Sequence, residues 1–558
     1  MRFLTVVVSI LFSFFSTAIM SYIAMATVIG PWIETTLVLA GLLIFYGFKR
    51  WYSDKLILRG LGLSTAAGGI GGILATGCGF SFPTLFFIDN GTFCTLLHNP
   101  FLWVFTVGSL AFAAGSLGLV AAHVFEHSLL VKQNLPFPIG ELVYKMMNAA
   151  DSMQKACMLA MGLVGTNLFL FIRSLIPFLS KPLVLLSKHS WSIITVPHIA
   201  MQTDLLPMFL AIGFITGHVI AIPLLLGMLA KIFCIEPLYR MYPLVHSFLS
   251  DYGISQYLGT VSASSSLSLH DFTIAFCSGM VLYGASMSFF DLPRTVLSAY
   301  RNMFKKEDNA HAEPESHSGY PFPWLLVVAT VSINLSVFYY FQFSLLAQLY
   351  LLVFTFICTY QMLLIAGKIG LAPLGRFATF VLVPGMFMFG YTPLQITLVS
   401  MYVEIAGGVA CDALFGRKMA HLAGIDRESI HLFQWLGLLI SCIVVGIVMW
   451  IFINHFGIGL EPGALASSKA ASRALLVNVK SFDVTILGLG ILFGYLLKMI
   501  RVNAVLMLGG ILMSADLSTM LVLGGLSTYL VADKERYYPL WSGVFAANSL
   551  WMLVKAFF

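Results

Sequence analysis

Charge is what this chain has least of. Lys, Arg, Asp and Glu supply 10% of its 558 residues and hydrophobic residues 59%, against about 25% and 45–50% in soluble domains. That excludes a water-soluble globule: so much apolar surface cannot hide in one core, and its solvent has to be lipid. Long polar stretches are missing too. The longest, Arg294 to Pro321, is a linker, so no separate soluble domain of normal size fits. The eight cysteines, at 78, 94, 157, 234, 277, 358, 411 and 442, never fall within four residues of one another, which excludes a CxxC zinc or redox pair. Most lie in apolar runs, where cysteine acts as a small hydrophobe. No GxxxxGK(S/T) phosphate loop occurs, which argues against ATP-driven pumping. The formal charge of +6 sits in short loop clusters, which leaves no basic face for nucleic acid. No motif for a resident cofactor is present.

What is there is one apolar segment after another. The first, Phe3 to Ile29, is longer than the roughly 7–15 residues of a signal-peptide core and reads as a transmembrane helix closed by Pro31. Further helices are expected near 33–48, 61–88, 101–122, 155–178, 206–232 and 272–290. Beyond the linker they are expected near 323–341, 344–366, 378–411 (broken at Pro384/Gly385), 430–456, 483–500, 503–531 and 540–557. At about 20 residues per span there is room for roughly 14–16 spanning or re-entrant segments. The expected fold is therefore an all-α, polytopic integral membrane protein. Its transmembrane halves, 1–293 and 321–558, would be joined by a polar cytoplasmic linker at 294–320. Basic clusters at Lys49/Arg50/Lys55/Arg59, Arg294/Arg301/Lys305/Lys306 and Arg417/Lys418 mark cytoplasmic loops, which with Arg2 puts the N-terminus inside.

Glycine is plentiful, at 48, and recurs at helical spacing: Gly68/Gly69/Gly71/Gly72, Gly213 with Gly217, Gly490 with Gly494. Small residues four apart let helices approach closely in lipid. Gly488-x-Gly490 is thus a packing seam, since no strand precedes it and no acid follows as a dinucleotide fingerprint needs. The segments AIGFITG (211–217) and GLGILFG (488–494) hint at a duplication.

Chemistry concentrates in the interval 123–145, HVFEHSLLVKQNLPFPIGELVYK. Pro136 and Pro138 force extended backbone, Gly140 permits close approach, and Glu141 opens a new helix. Extended backbone beside a helix N-terminus offers free N–H and C=O groups, the makings of a transporter's substrate site, against the plainer reading of an interfacial loop. The same interval carries His123-x-x-Glu126-His127, an inverted zinc-peptidase pattern with no identifiable third ligand. A second charged stretch runs from Glu404 to Lys418. Carboxylates at membrane depth face a cavity or relay protons. Glu404 is the stronger candidate, while Asp412 doubles as a helix cap pairing with Arg417 or Lys418. His218, just after Gly217, reads equally as a histidine bonded to a backbone carbonyl or as a proton relay.

These residues resemble the oligopeptide transporter family. LPFPIGELVYK (135–145) is similar to the family's Pro-Phe-Pro-x-Gly segment, and 208–239 to the Gly-rich helix that follows. The stretch 404–446, the closing pair 519–552 and GGIGGIL (68–74) also resemble their counterparts, so the likeness covers most of the chain. The final helix departs from the pattern: Gly543-x-x-Ala546-Ala547-Asn548-Ser549-Leu550 lacks the family's glutamate. The Asn-Pro-Gly and Lys-Ile-Pro-Pro-Arg segments of the eukaryotic peptide carriers are also missing, which points to a divergent bacterial branch in an inner membrane. The resemblance implies about 16 helices in related halves, alternating access and proton-driven import of small peptides or, alternatively, of metal chelated by amino-acid-like ligands. On that reading Pro136, Phe137, Pro138, Gly140 and Glu141 line the substrate path. Glu141, Glu404, Asp412 and His218 carry protons, and His123, Glu126 and His127 stand at one mouth. The rivals are a membrane zinc hydrolase using 123–127 and a passive facilitator.

Overall fold

The computed structural model describes residues 2–27, 33–48, 52–148, 152–175, 183–184, 202–203, 207–242, parts of 269–283, 324–369, 372–459, 464–477, 484–500, parts of 507–511, 515–531 and 533–557. The expected linker at 294–320, with its basic cluster, lies outside them, as do Lys49 and Arg50. Among the described residues eight helices are long and apolar enough to cross a membrane, and five shorter apolar helices accompany them. Apart from a two-residue strand pair, Leu183–Val184 with Gln202–Thr203, and one isolated bridge, the regular secondary structure among the described residues is helical. The chain is an all-α, multi-pass integral membrane protein.

Its helices are α1 (Arg2–Ala26), α2 (Glu34–Gly47), α3 (Asp54–Ser81), α4 (Thr84–Ile88), α5 (Asn90–Leu97), α6 (Pro100–Glu126), α7 (Pro138–Asn148), α8 (Ser152–Leu175), α9 (Pro207–Thr216) and α10 (His218–Ala230). Beyond residue 320 come α11 (Trp324–Tyr340), α12 (Leu345–Ile369), α13 (Leu374–Phe389), α14 (Pro393–Leu422), α15 (Arg427–Phe456), α16 (Ser468–Val477), α17 (Val484–Met499), α18 (Ala515–Ser527) and α19 (Lys534–Phe557).

Two of them form the axis of the bundle. α14 is buried along nearly its whole length and α3 almost as completely. Small residues make this possible, because lipid offers no hydrophobic force to drive helices together and close backbone contact must do so. Down the α3–α14 seam, Gly77 faces Ile405, Gly408 faces Ile73, Gly69 faces Asp412 and Gly416 faces Ala66. The glycine cluster at 68–72 is the α3 side of this seam and of the contact with α1, where the Ser16 hydroxyl donates to the Gly68 carbonyl at 2.5 Å.

Boundaries differ from the expected ones for local reasons. α3 ends at Ser81, before Pro83, and α4 starts afresh. α6 runs on through His123 and Glu126 into a π-helical turn, His127–Lys132, so the HxxEH pattern lies on a helix end and not in a loop. Pro384 is accommodated inside α13, and the expected break at Pro384/Gly385 falls instead at Gly390–Thr392. There Gly390 takes φ +60° as the αL cap of α13. Thr392 and Gln395 then form a reciprocal capping box, at 3.3 and 3.1 Å, with Pro393 at the first helical position. Gly217, at φ +71°, breaks the expected 206–232 helix into α9 and α10. Arg417 and Lys418 are not loop residues: both are buried near the end of α14.

Outside the axis, glycines pair helices of the two halves. A methyl on Gly162 would overlap the Leu540 carbonyl, and one on Gly543 the Leu159 carbonyl. The same reciprocity joins Gly213 with Gly524, Gly227 with Gly510, and Gly279 with Gly490. Gly488 has open space around it, so the seam expected at Gly488-x-Gly490 rests on Gly490 alone.

Candidate functional site

Carboxylates are the scarcest and most costly groups in such a bundle, and their surroundings separate them. Glu34, in the first turn of α2, and Asp412, on α14, are both buried and face each other within hydrogen-bonding reach. Among the described residues neither has a donor at Glu34 Oε1, Glu34 Oε2 or Asp412 Oδ1, and the Thr65 hydroxyl beside them is also unpartnered. They line a small cavity with Thr65, Ala66, Gly140, Val143, Phe415, Gly416 and Met419, with room for about one water molecule. Gly69 makes the space for the carboxylate, since a methyl there would stand 2.7 Å from Asp412 Oδ2. Gly140 brings the α7 turn onto α14: its methyl would press on the Phe415 carbonyl at 2.5 Å and Lys418 Cβ at 3.1 Å. Two negative charges facing each other out of water, with no counter-charge, are too costly to persist. A proton or a small cation between them removes that cost.

The turn behind Gly140 is irregular and not the extended stretch the prolines suggest, since two of its residues take left-handed backbone. Residues 134–137 are non-helical, with Asn134 and Phe137 at positive φ, and the Phe137 N–H donates to the Gly367 carbonyl at 2.9 Å. Phe137 is buried against Phe415, Pro136 is exposed, and α7 begins at Pro138, three residues before Glu141. Glu141 is partly buried in the first turn of α7.

Glu404 has the opposite environment. Wholly buried, it accepts from Arg473 Nη2 at 2.7 Å and from the Ser81 hydroxyl at 2.6 Å. Arg473 Nη1 also reaches Ser81 Oγ at 2.8 Å and the Phe80 carbonyl at 3.4 Å. Charge and hydrogen bonds are matched on both sides.

Glu126 is surrounded by cations. Arg417 Nη1 donates at 3.0 Å, Arg427 donates through Nε and Nη2, each at 3.0 Å, and His431 Nε2 lies 3.2 Å away. Arg417 is further held by Gln434, whose amide donates back to the Ala413 carbonyl. His123 stacks edge-on against His431, their ring centroids 5.1 Å apart. His123, Glu126 and His431 are close enough to share a metal, with His431 standing where the sequence pattern places His127. Two guanidinium groups already occupy the Glu126 carboxylate, however, and they repel a dication.

The whole chain answers to one family. A model of the OPT oligopeptide transporter protein family matches residues 3–558. The chain belongs to the oligopeptide transporter family. No match to a curated relative was found. The family is one of transporters and not of enzymes. In this transporter the expected residues fall into separate places. Asp412 and Gly140 share the cavity. Glu404 lies nearer the Pro393 end of the same helix in its own ion pair, and Glu126 and His123 join at the far ends of α6 and α14. His218 is exposed at the α9–α10 break beside Tyr529. Sequence reasoning missed Glu34, Arg473 and His431. Glu34 was open to discovery as the only acid before Asp54. Arg473 was signalled by Lys469 one turn earlier among small residues.

Proposed function

We propose that this family member is a proton-coupled secondary carrier that imports small peptides or peptide-like compounds, with Glu34 and Asp412 sharing the coupling proton. The unpaired buried carboxylates carry this reading. Glu404 and Glu126 have matched cations, whereas the Glu34–Asp412 pair lacks one among the described residues and faces a chamber too small for a peptide and large enough for a proton or a water. Binding of a proton there lets the chamber stay closed; its loss charges the pair and favours a state that admits water. The Pro136–Gly140 turn, resting on α14 at the same chamber, is the element that senses this change and lines the path through Pro136, Phe137, Pro138 and Gly140. Glu141, the next residue, and His218, at the α9–α10 break, are the further proton carriers. Glu404, with its arginine, tunes the path from the other end of α14.

On this reading the halves 1–293 and 321–558 are tandem repeats. Gly213 and Gly227 are spaced as Gly510 and Gly524 are, which supports that division. The membrane is a bacterial inner membrane with the N-terminus inside, a placement supported by Lys55 and Arg59 at the start of α3. The test is uptake of a mixed short-peptide pool by proteoliposomes, with and without an inside-alkaline pH gradient. Accumulation that needs the gradient and disappears in Asp412→Asn is expected. Gradient-independent uptake sinks proton coupling, and absence of peptide uptake moves the cargo to amino-acid-type metal chelates.

A further inference from the structure

α16 carries more positive charge than its surroundings balance. Arg473 is matched by Glu404. Lys469, one turn earlier on the same helix, lies with its Nζ 3.3 Å from the centre of the Phe80 ring and has no carboxylate at ion-pair distance among the described residues. A cation over an aromatic face is held only weakly compared with one in an ion pair. The helix that carries it begins at Ser468, and Ser467 and Ser468 are both almost wholly buried with hydroxyls that find no partner among the described residues. Ser467 sits at φ +42°, and its N–H is committed to the Met25 carbonyl at 2.6 Å. The N–H groups of the following turn have no acceptor within the helix, and the helix dipole adds positive potential at this end. Two hydroxyls, an ammonium and the first-turn amides thus belong to one turn of chain with no anion paired to them among the described residues, beside a glutamate that is already fully paired. Burial pushes the Lys469 ammonium down to about 8, with Glu404 opposing and Arg473 assisting the shift.

We propose that the Ser467–Lys469 turn binds a carboxylate of the cargo: the C-terminal carboxylate of a peptide or that of an amino-acid-type metal chelate. This rests on the transporter reading and names the group the carrier recognises. Glu404 and Arg473 position the turn: the ion pair fixes α16 against α3 and α14, and the neighbouring turn is left free for cargo.

The probes are trialanine, trialanine amide and ferric iminodiacetate, titrated calorimetrically into the purified full-length protein at pH 7. At least one carboxylate probe is expected to bind. If that probe is trialanine, the amide should be weaker by roughly tenfold or more, the worth of a charge-assisted hydrogen bond. Lys469→Gln should erase that preference and Lys469→Arg should keep it. If only the chelate binds, Lys469→Gln should weaken it by about the same factor, and the cargo is then the chelate. Equal binding of trialanine and its amide, or a preference that survives Lys469→Gln, overturns the site while leaving the carrier reading intact. Failure of all three probes to bind, with peptide accumulation in proteoliposomes preserved, also overturns the site alone. Failure of both binding and uptake overturns the site together with the cargo reading. Because Lys469 makes no ion pair among the described residues, its variants are expected to fold; gel-filtration profiles matching the parent check this.

Discussion

The same chemical change, carboxyl to amide, should have opposite effects at two positions on one helix. Glu404 and Asp412 are eight residues apart on α14, about 12 Å along its axis. In Glu404→Gln the buried Arg473 loses its counter-charge while its bonds to Ser81 and Phe80 remain. Removing one partner of a buried pair costs about 3–5 kcal/mol, and the amide oxygen that still accepts from Arg473 puts the expectation at the low end. In Asp412→Asn a carboxylate pair that is satisfied only by a shared proton gives way to an amide whose N–H can donate to Glu34 without one. Relief of an unsatisfied buried polar group is worth about 1–3 kcal/mol, so this variant should be more stable than the parent. The assay is the midpoint of thermal loss of the monodisperse peak in detergent at pH 7, with all three proteins measured under one scan rate because unfolding of such proteins is irreversible. Glu404→Gln should fall and Asp412→Asn should rise. A lower midpoint for Asp412→Asn would refute the claim that Asp412 lacks a counter-charge, whatever transport shows.

Four further outcomes can be measured. Glu126→Gln leaves Arg417 buried with weakened partners and should destabilise by about 3 kcal/mol, read in the same midpoint assay; a variant as stable as the parent would mean that the two arginines do not depend on Glu126. Gly437→Ala drives a methyl into the Ala67 carbonyl, which is backbone and cannot yield, and should cost at least about 3 kcal/mol and most of the folded yield. Gly488→Ala meets open space and should be silent. For Lys469, the folded protein releases its proton near 8 and the unfolded chain near 10.5. Between those values the unfolded state binds more protons, so stability should rise with pH across that window, while below 8 the cost of burying the charge is present in full. Glu404 and Arg473 are the charged groups facing it. Midpoints at pH 7.5 and 9.5 should differ less in Lys469→Gln than in the parent, and carboxylate binding should decline as pH rises through 8.

The lipid-facing character of the chain was legible because composition alone decides it, and the glycines at 68–72 because small residues at helical spacing admit close approach; that the helix they meet is α14 was not legible. Asp412 was visible as a carboxylate at the end of an apolar run but ranked below Glu404, with a helix cap paired to Arg417 or Lys418 as its plainer reading. Its partner was not visible, because Glu34 precedes it by most of the chain and nothing in local spacing ties α2 to α14. Arg473 escaped for the same reason, and without it Glu404 looks like a bare carboxylate in the sequence. Near 123–127 the opposite error arises: a local spacing that suits zinc is read from one helix, whereas the groups around Glu126 come from α14 and α15. The Pro384/Gly385 break misled because a proline can be absorbed by a helix packed on all sides, while the Gly-Tyr-Thr-Pro-Leu-Gln sequence that follows carries a stop and a start together.

The nested glycine pairs bear on how the protein is made. Gly162, Gly213, Gly227 and Gly279 each wait for a partner in the second half, and the earliest of them, Gly162, waits for the last, Gly543. Helices α8, α9 and α10 therefore enter the membrane long before the surfaces that cover them exist. During synthesis their seams stand open to lipid or to an insertion chaperone, and they close in reverse order, from Gly279 outward to Gly162, as the ribosome delivers α17, α18 and α19. Produced as two fragments, the halves would have to meet within the bilayer before either could settle.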